Sequence, residues 1–275
     1  MASTEVALGS AQLAGCMALS KSASWNQNEA DWRLMLELGS GWGIQEADGA
    51  LSASTLVLPY GGRFAWIAMV LVLPEHRRKG YATRLLRLAV AELKRRGLTP
   101  VLDATPAGRE VYRLEGFQDR WGFKRYAVAR KPGLQKHECV RRLHESDWPA
   151  LLEMDRAAFG GDREKLLRAL SKRLCEAALV FEREGRIEGF LLGREGRESN
   201  QLGPLIARDG DVAQALLLEG LERAPVPLYL DVADHASRLA AGFQLQRPFT
   251  RMVHGGARAP GDERAVFLVA GPELG

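Results

Sequence analysis

Two α/β units in tandem are the architecture the sequence predicts, and three observations predict it. Helical and strand periodicities alternate in nearly the same order through both halves of the 275-residue chain. Two landmarks recur at offsets of 128 and 126 residues. Leu102-Asp103-Ala104-Thr105 and Leu230-Asp231-Val232-Ala233 each end a strand, and Gly116-Phe117 and Gly242-Phe243 each follow a short helix. Between the halves, Lys131-Pro132-Gly133 and the polar residues up to His137 break the pattern as a linker does. The fold class is therefore α/β (α+β), with units at 1–132 and 138–275, and the length suits two ordinary domains better than one.

Taken in order, Ala11–Ser20 and Glu29–Leu38 read as short helices, the second with Trp32, Met35, Leu36 and Leu38 on its apolar side. Strands follow over Trp42–Glu46, Leu51–Leu58 and Phe64–Leu73, separated by Asp48-Gly49 and Gly61-Gly62 turns. The third strand is almost wholly apolar, as a strand buried on both faces must be. In the helix Ala82–Arg96, Ala82, Leu85, Leu86, Ala89, Val90 and Leu93 share one face, and Gly97 ends it. A strand at Thr99–Asp103, a helix at Ala107–Leu114 and two strands, Phe117–Phe123 and Arg125–Ala129, complete the first unit. The second half repeats the order: strand Cys139–Leu143, helices Asp147–Phe159 and Arg163–Leu174, and strands Ala178–Arg183, Ile187–Arg194 and Gln201–Ile206. Helix Val212–Leu221, strand Val226–Val232 and a final strand near Ala265–Val269 follow.

Composition narrows the function. Hydrophobic content of 46% and charged content of 26% are those of a soluble globular protein, and no apolar run approaches the roughly 20 residues of a membrane span. Cys16, Cys139 and Cys175 are far apart and read as free thiols in a reducing compartment. Leu13-Ala14-Gly15-Cys16 looks like a lipoprotein cleavage box, but no Lys or Arg precedes Lys21 and the preceding residues are not continuously apolar, so a cytoplasmic protein is expected. The net charge is +4, yet Pro74–Gly97 alone carries +6, from Arg77, Arg78, Lys79, Arg84, Arg87, Lys94, Arg95 and Arg96 against Glu75 and Glu92. So compact a surplus suits a small polyanion. Nucleic acid would want basic residues spread along a surface with interleaved aromatics, and this stretch has only Tyr81, so no nucleic-acid partner is expected.

The segment Val72-Leu-Pro-Glu-His-Arg-Arg-Lys-Gly-Tyr-Ala-Thr83 carries the chemistry. An apolar strand stops at Pro74, a basic turn follows, and Gly80 and Ala82 open an amphipathic helix. That order makes a helix N-terminus with unpaired N–H groups, small residues that admit an anion and cations around it. Val72, Pro74, Arg77, Gly80 and Ala82 fall on the pattern Val-x-Pro-x-x-(Gln/Arg)-x-x-Gly-x-(Gly/Ala), so the segment resembles the acyl-CoA pyrophosphate loop of the GNAT N-acetyltransferases.

The resemblance covers roughly Val6 to Ala129 and implies a mixed central sheet whose two central parallel strands splay apart, with the pantetheine arm in the gap. It implies acetyl-CoA as co-substrate and a small-molecule or peptide amine as acceptor. By that resemblance Val70, Leu71 and Val72 would offer backbone groups to pantetheine, and one N–H of that strand would hold the oxyanion. Arg77, Arg78, Lys79, Gly80, Tyr81, Ala82 and Thr83 would hold the pyrophosphate. Tyr112, in a Tyr-x-x-x-Gly-Phe segment ending at Phe117, would protonate the leaving thiolate; the alternative is a tyrosine packing between helix and sheet.

For the general base, no Glu or Asp occurs between Phe64 and Leu73, and Asp103 is the nearest by position. Its competing reading, a cap for the turn into Ala107–Leu114, is the stronger. Trp25 and Asn26 lie where acceptor loops lie in this fold, against the alternative of a core tryptophan beside a helix cap. Trp66 and Trp121 read as core. The second unit reads as degenerate: Asp209 and Asp211 stand where its phosphate loop would be, and Arg238 stands where Tyr112 would be. No metal is expected, because the five histidines lack ligand spacing, and no Gly-Lys dipeptide of a nucleotide loop occurs. The sequence leaves a homodimer open, and it leaves a non-catalytic acyl-CoA-binding regulatory module as the alternative function.

Overall fold

The computed structural model describes residues 3–131, 133 and 136–275. Pro132, Leu134 and Gln135 of the expected linker lie outside the described residues. Strands β1 (Thr4–Ala7), β2 (Ser40–Gln45), β3 (Leu51–Pro59) and β4 (Phe64–Val72) form an antiparallel meander. Gly39 lies where a Cβ would stand 2.0 Å from the Val57 carbonyl oxygen, so only glycine lets β2 lie this close to β3. Helices α1 (Leu13–Ser22) and α2 (Glu29–Leu38) bury Leu13, Cys16, Leu19, Trp32 and Met35 on one face of the meander. Helix α3 (Tyr81–Arg95) buries Leu86, Ala89, Val90 and Leu93 on the other, against Val57, Ala65 and Ile67. The periodicity of α3 thus becomes its packing face, as read from sequence.

Strand β5 (Thr99–Ala104) runs parallel to β4 and pairs with it only over Phe64–Trp66 and Thr99–Val101. Beyond that short ladder the two strands part. Helix α4 (Pro106–Leu114) and strand β6 (Phe117–Val128) follow. The second half supplies β7 (Val140–Arg142), α5 (Trp148–Phe159), α6 (Glu164–Arg173), β8 (Leu179–Arg183), β9 (Arg186–Arg194), β10 (Asn200–Ala207), α7 (Gly210–Arg223), β11 (Leu228–Ala233), β12 (Gln244–His254) and β13 (Val266–Leu268).

All of these strands join one 13-stranded sheet in the order β1-β2-β3-β4-β5-β12-β6-β11-β13-β10-β9-β8-β7. The two units exchange strands at its centre. Strand β12 enters the first unit between β5 and β6, and β6 in turn pairs with β11 of the second. Two strands expected over Phe117–Ala129 are therefore one, because the ladder with β12 runs from Phe117 to Ala127 and β11 takes the other side from Phe123 to Val128. Strand β1 was not foreseen, and a 3-10 segment, Asp234–Ala240, stands where the second unit would repeat α4.

The exchange is fastened by two reciprocal buried ion pairs. Arg125 on β6 grips Asp231 on β11 at 2.8 and 2.6 Å, and Arg251 on β12 grips Asp103 on β5 at 2.9 and 2.9 Å. Each guanidinium lies beside aromatic rings, Arg251 between Trp66 and Trp121 at 4.4 and 4.2 Å, Arg125 by Tyr229 and Phe249 at 5.2 and 5.5 Å. The repeated Leu-Asp landmark is thus a repeated cross-unit anchor.

Candidate functional site

The gap between β4 and β5 begins at a bulge. Met69 has φ of +53°, and the β3 register slips between Ser54 and Leu56, so β4 turns away from the ladder it began. The Ser54 hydroxyl donates to the Met69 carbonyl at 2.8 Å and takes up the acceptor that the bulge sets free. The resulting cleft has a volume of about 800 Å³. Val70, Leu71 and Val72 line one side, and Thr105, Pro106 and Tyr112 the other.

Arg77, Arg78, Gly80, Tyr81, Ala82 and Thr83 border the same cleft. Gly80 caps α3 with φ of +79°, and a Cβ there would meet nothing within 4 Å, so a side chain would project into the cleft itself. The first α-helical bond of α3 is Arg84 N–H to the Gly80 carbonyl at 2.9 Å, which leaves the amides of Tyr81, Ala82 and Thr83 outside the helical ladder. No acidic residue stands in that first turn, and among the described residues no carboxylate lies within 4 Å of Arg77 or Arg78. These features fit a phosphate-bearing ligand: free amides, a cleft that a glycine keeps clear and unneutralised cations. Lys79 does not itself line the cleft, and its ammonium lies 3.2 Å from Nδ1 of His76, which does.

Deeper in, the cleft meets a smaller pocket of about 40 Å³, room for about three waters by that measure. Val70, Asp103, Thr105, Tyr112, Trp25 and Arg247 line both cavities. The inner one is closed by Gln27 and, from the second unit, by Phe249, Pro272 and Glu273. Tyr112 sits at the junction, half-buried, with its phenol pushed up to about 12 by burial. It also packs near Phe117, ring centroids 6.0 Å apart, so the packing and the chemical readings of this residue coexist.

Asp103 reaches the cavity edge, but Arg251 takes both carboxylate oxygens. Burial pushes its carboxyl up and Arg251 opposes that shift. Nor does Asp103 cap α4: the Thr105 hydroxyl accepts from the Gly108 amide at 3.2 Å and fills that role. Trp25 lines both cavities. Asn26 does not. Its amide is buried against the 197–199 segment, donating to the Ser199 carbonyl at 2.8 Å and accepting from the Glu198 and Ser199 amides at 2.9 and 3.0 Å. It is a clasp between units.

Glu273 and Arg247 had no signal in the sequence: one lies in a short polar tail, the other in a mixed strand. One oxygen of the Glu273 carboxylate accepts from Arg194, while Oε2 is buried without a hydrogen-bond partner. Arg194 is fully buried and also grips Asp31 at 2.6 Å, which in turn is held by Arg173 at 2.6 Å. A buried chain of alternating charge therefore runs from α2 to the inner pocket and holds Glu273 in place.

The second unit splays in the same way and fills its own gap. Strands β10 and β11 are parallel only over Asn200–Leu202 and Leu228–Leu230, and β13 then enters between them, pairing Leu268 with both Leu205 and Val232. Asp209 caps α7 by accepting from the Val212 amide at 3.0 Å, and that bond, with Arg208 beside it, holds its carboxyl below the usual range. The chain itself occupies the gap, and a carboxylate sits on the helix start.

The comparisons agree with this geometry in both halves. Residues 14–117 match the profile described as the acetyltransferase (GNAT) family, and residues 151–268 match an acetyltransferase (GNAT) domain. An N-acetyltransferase of Bacillus subtilis, YitH, described as uncharacterized, is 27% identical over 229 residues, 82% of this chain and 80% of that protein. A candidate acetyltransferase from Pyrococcus horikoshii superposes with a TM-score of 0.83 over 99% of this chain and 96% of its own, at 21% identity. A tandem GNAT protein from the clavulanic acid biosynthesis pathway superposes with a TM-score of 0.64 over 95% of this chain and all of its own, at 14% identity. At such identities the two structures speak for the fold alone. Among the described residues no group of three or more His, Cys, Asp or Glu is placed to hold a metal, and no helix is long and apolar enough to cross a membrane.

Proposed function

The chain belongs to the GNAT acetyltransferase family as a tandem of two such units, and on that premise we propose that it moves an acetyl group from acetyl-CoA to a primary amine in the first unit. One observation carries the reading: of two splayed strand pairs, the first keeps its cleft and borders it with free amides and cations, while the second is filled by β13.

In this reading the loop Arg77–Thr83 holds the pyrophosphate, and Val70, Leu71 and Val72 offer backbone groups to the pantetheine arm. Glu273, whose Oε2 has no hydrogen-bond partner, is the group assigned to accept a proton from the acceptor ammonium, because Arg251 engages both oxygens of Asp103. The amine lone pair forms the C–N bond, and the C–S pair leaves as thiolate. Tyr112 donates its phenolic proton to that sulfur and regains one from the nitrogen through solvent, so one proton is released overall. A phenol pushed up to about 12 stays protonated and ready at neutral pH.

Free-thiol release from acetyl-CoA across a panel of primary amines tests the reading. Saturable acetyl-CoA binding with no turnover on any amine would favour a binding or regulatory module instead.

A further inference from the structure

The inner pocket carries one charge that the protein does not balance. Of the charged groups lining it, Asp103 is paired with Arg251, Arg125 with Asp231 at 2.6 Å, and Glu273 with Arg194. Arg247 alone is left over. Among the described residues no carboxylate lies within 4 Å of it and no group accepts a hydrogen bond from it; its guanidinium carbon lies 5.7 Å from the centre of the Phe249 ring. Yet Arg247 is half-buried and lines both cavities, at the junction that Tyr112 also borders. Burial first, and then Arg125, work against its charge, and Asp231 and Tyr229 offset them only in part. A half-buried guanidinium with no counter-ion in contact is costly unless a ligand supplies the anion.

Resting on the acetyl-transfer reading, we infer that the acceptor is an amine carrying a carboxylate, an amino-acid-like zwitterion, whose carboxylate is held by Arg247 while its ammonium faces Glu273 Oε2. Two observations converge on this. Arg247, which has no counter-ion in contact, and Glu273, whose Oε2 has no hydrogen-bond partner, line the same pocket, so a zwitterion would meet a cation for its carboxylate and an acceptor oxygen for its ammonium. The inner pocket is smaller than the coenzyme cleft and continuous with it at Tyr112 and Arg247, which suits a compact polar head. The anion is assigned to the acceptor because the phosphate loop, with its own cations and amides, serves the coenzyme. Both specificity groups come from the second unit, Arg247 from β12 and Glu273 from the segment after β13, which gives that unit a role in choosing the acceptor although its own cleft is filled.

The test uses the full chain with acetyl-CoA and pairs glycine, β-alanine and aspartate with glycinamide, β-alaninamide and aspartate diamide. The acids should be turned over with kcat/KM about 10- to 100-fold above their amides. Arg247→Gln should remove that preference, lowering kcat/KM for the acids by a similar factor while changing the amides little and leaving acetyl-CoA affinity unchanged by calorimetry. Equal use of acids and amides by the parent protein would overturn the inference, as would weakened acetyl-CoA binding in Arg247→Gln. Thiol release from none of the amines would instead sink the acetyl-transfer reading. In that event, binding of N-acetylglycine to the CoA-saturated protein decides the anion site: loss in Arg247→Gln supports it, and no binding to the parent overturns it.

Discussion

Tyr112 and Asp103 were both legible as candidate catalytic groups, and the structure separates them. Burial holds the Tyr112 phenol protonated up to about pH 12, so its ionisation should put no descending limb on the kcat profile below about pH 11. Tyr112→Phe should lower kcat by about 10²-fold or more while acetyl-CoA affinity, measured by calorimetry, stays nearly intact. Unchanged turnover, or a parent profile falling near pH 10, would remove Tyr112 as the acid. Asp103 has a counterpart, Asp231, in the unit whose cleft is filled, and each grips an arginine from the other unit. A feature shared by the two units is better explained by their packing than by catalysis in one of them. Replacing one partner leaves a buried guanidinium uncompensated, which costs about 3–5 kcal/mol. Asp103→Asn and Asp231→Asn should therefore both lower the thermal midpoint by several degrees; a parent-like midpoint for Asp103→Asn would return that residue to the chemistry.

At the scale of elements, the loop into α3 is where sequence and structure agree most closely. Gly80 was readable because two demands converge on it: a left-handed backbone at φ +79° and clear space beside the helix start. Gly80→Leu should cost about 1–2 kcal/mol in backbone strain and abolish detectable coenzyme A binding, with the circular dichroism of the folded protein retained. Retained affinity would sink the loop assignment. Helices α1, α2 and α3 were legible because apolar spacing reports directly on a buried face. The partners of β6 and β12 were not legible, since periodicity tells which residues face the core and says nothing about which strand lies alongside. For the same reason Asn26 read as a substrate contact when it is a clasp to residues 197–199, more than 170 positions away. Glu273 was invisible because long-range contacts bring it to the pocket: its ion pair with Arg194, and bonds from Trp66 and Tyr60 to the Pro272 and Leu274 carbonyls.

For the whole molecule, the exchange of β6 and β12 means that neither half closes its sheet alone. Severed after residue 131, the first half would lose β12 from between β5 and β6 and expose the edges of both, an aggregation-prone arrangement. Residues 3–131 expressed alone should fail to give a monomer with a cooperative melt, and co-expression with 136–275 should restore one; a stably folded first half would contradict that coupling. The second unit thus fills its own strand gap with β13 and contributes a wall of the inner pocket, the acceptor site in the proposed reading, to the first. That division of labour, one acyl-CoA site in a chain with two splayed sheets, is most directly tested by titrating acetyl-CoA into the full chain by calorimetry, with the Gly80→Leu variant alongside. The account predicts one molecule bound per chain, with no residual binding in Gly80→Leu; two sites, or one that survives the substitution, would contradict it.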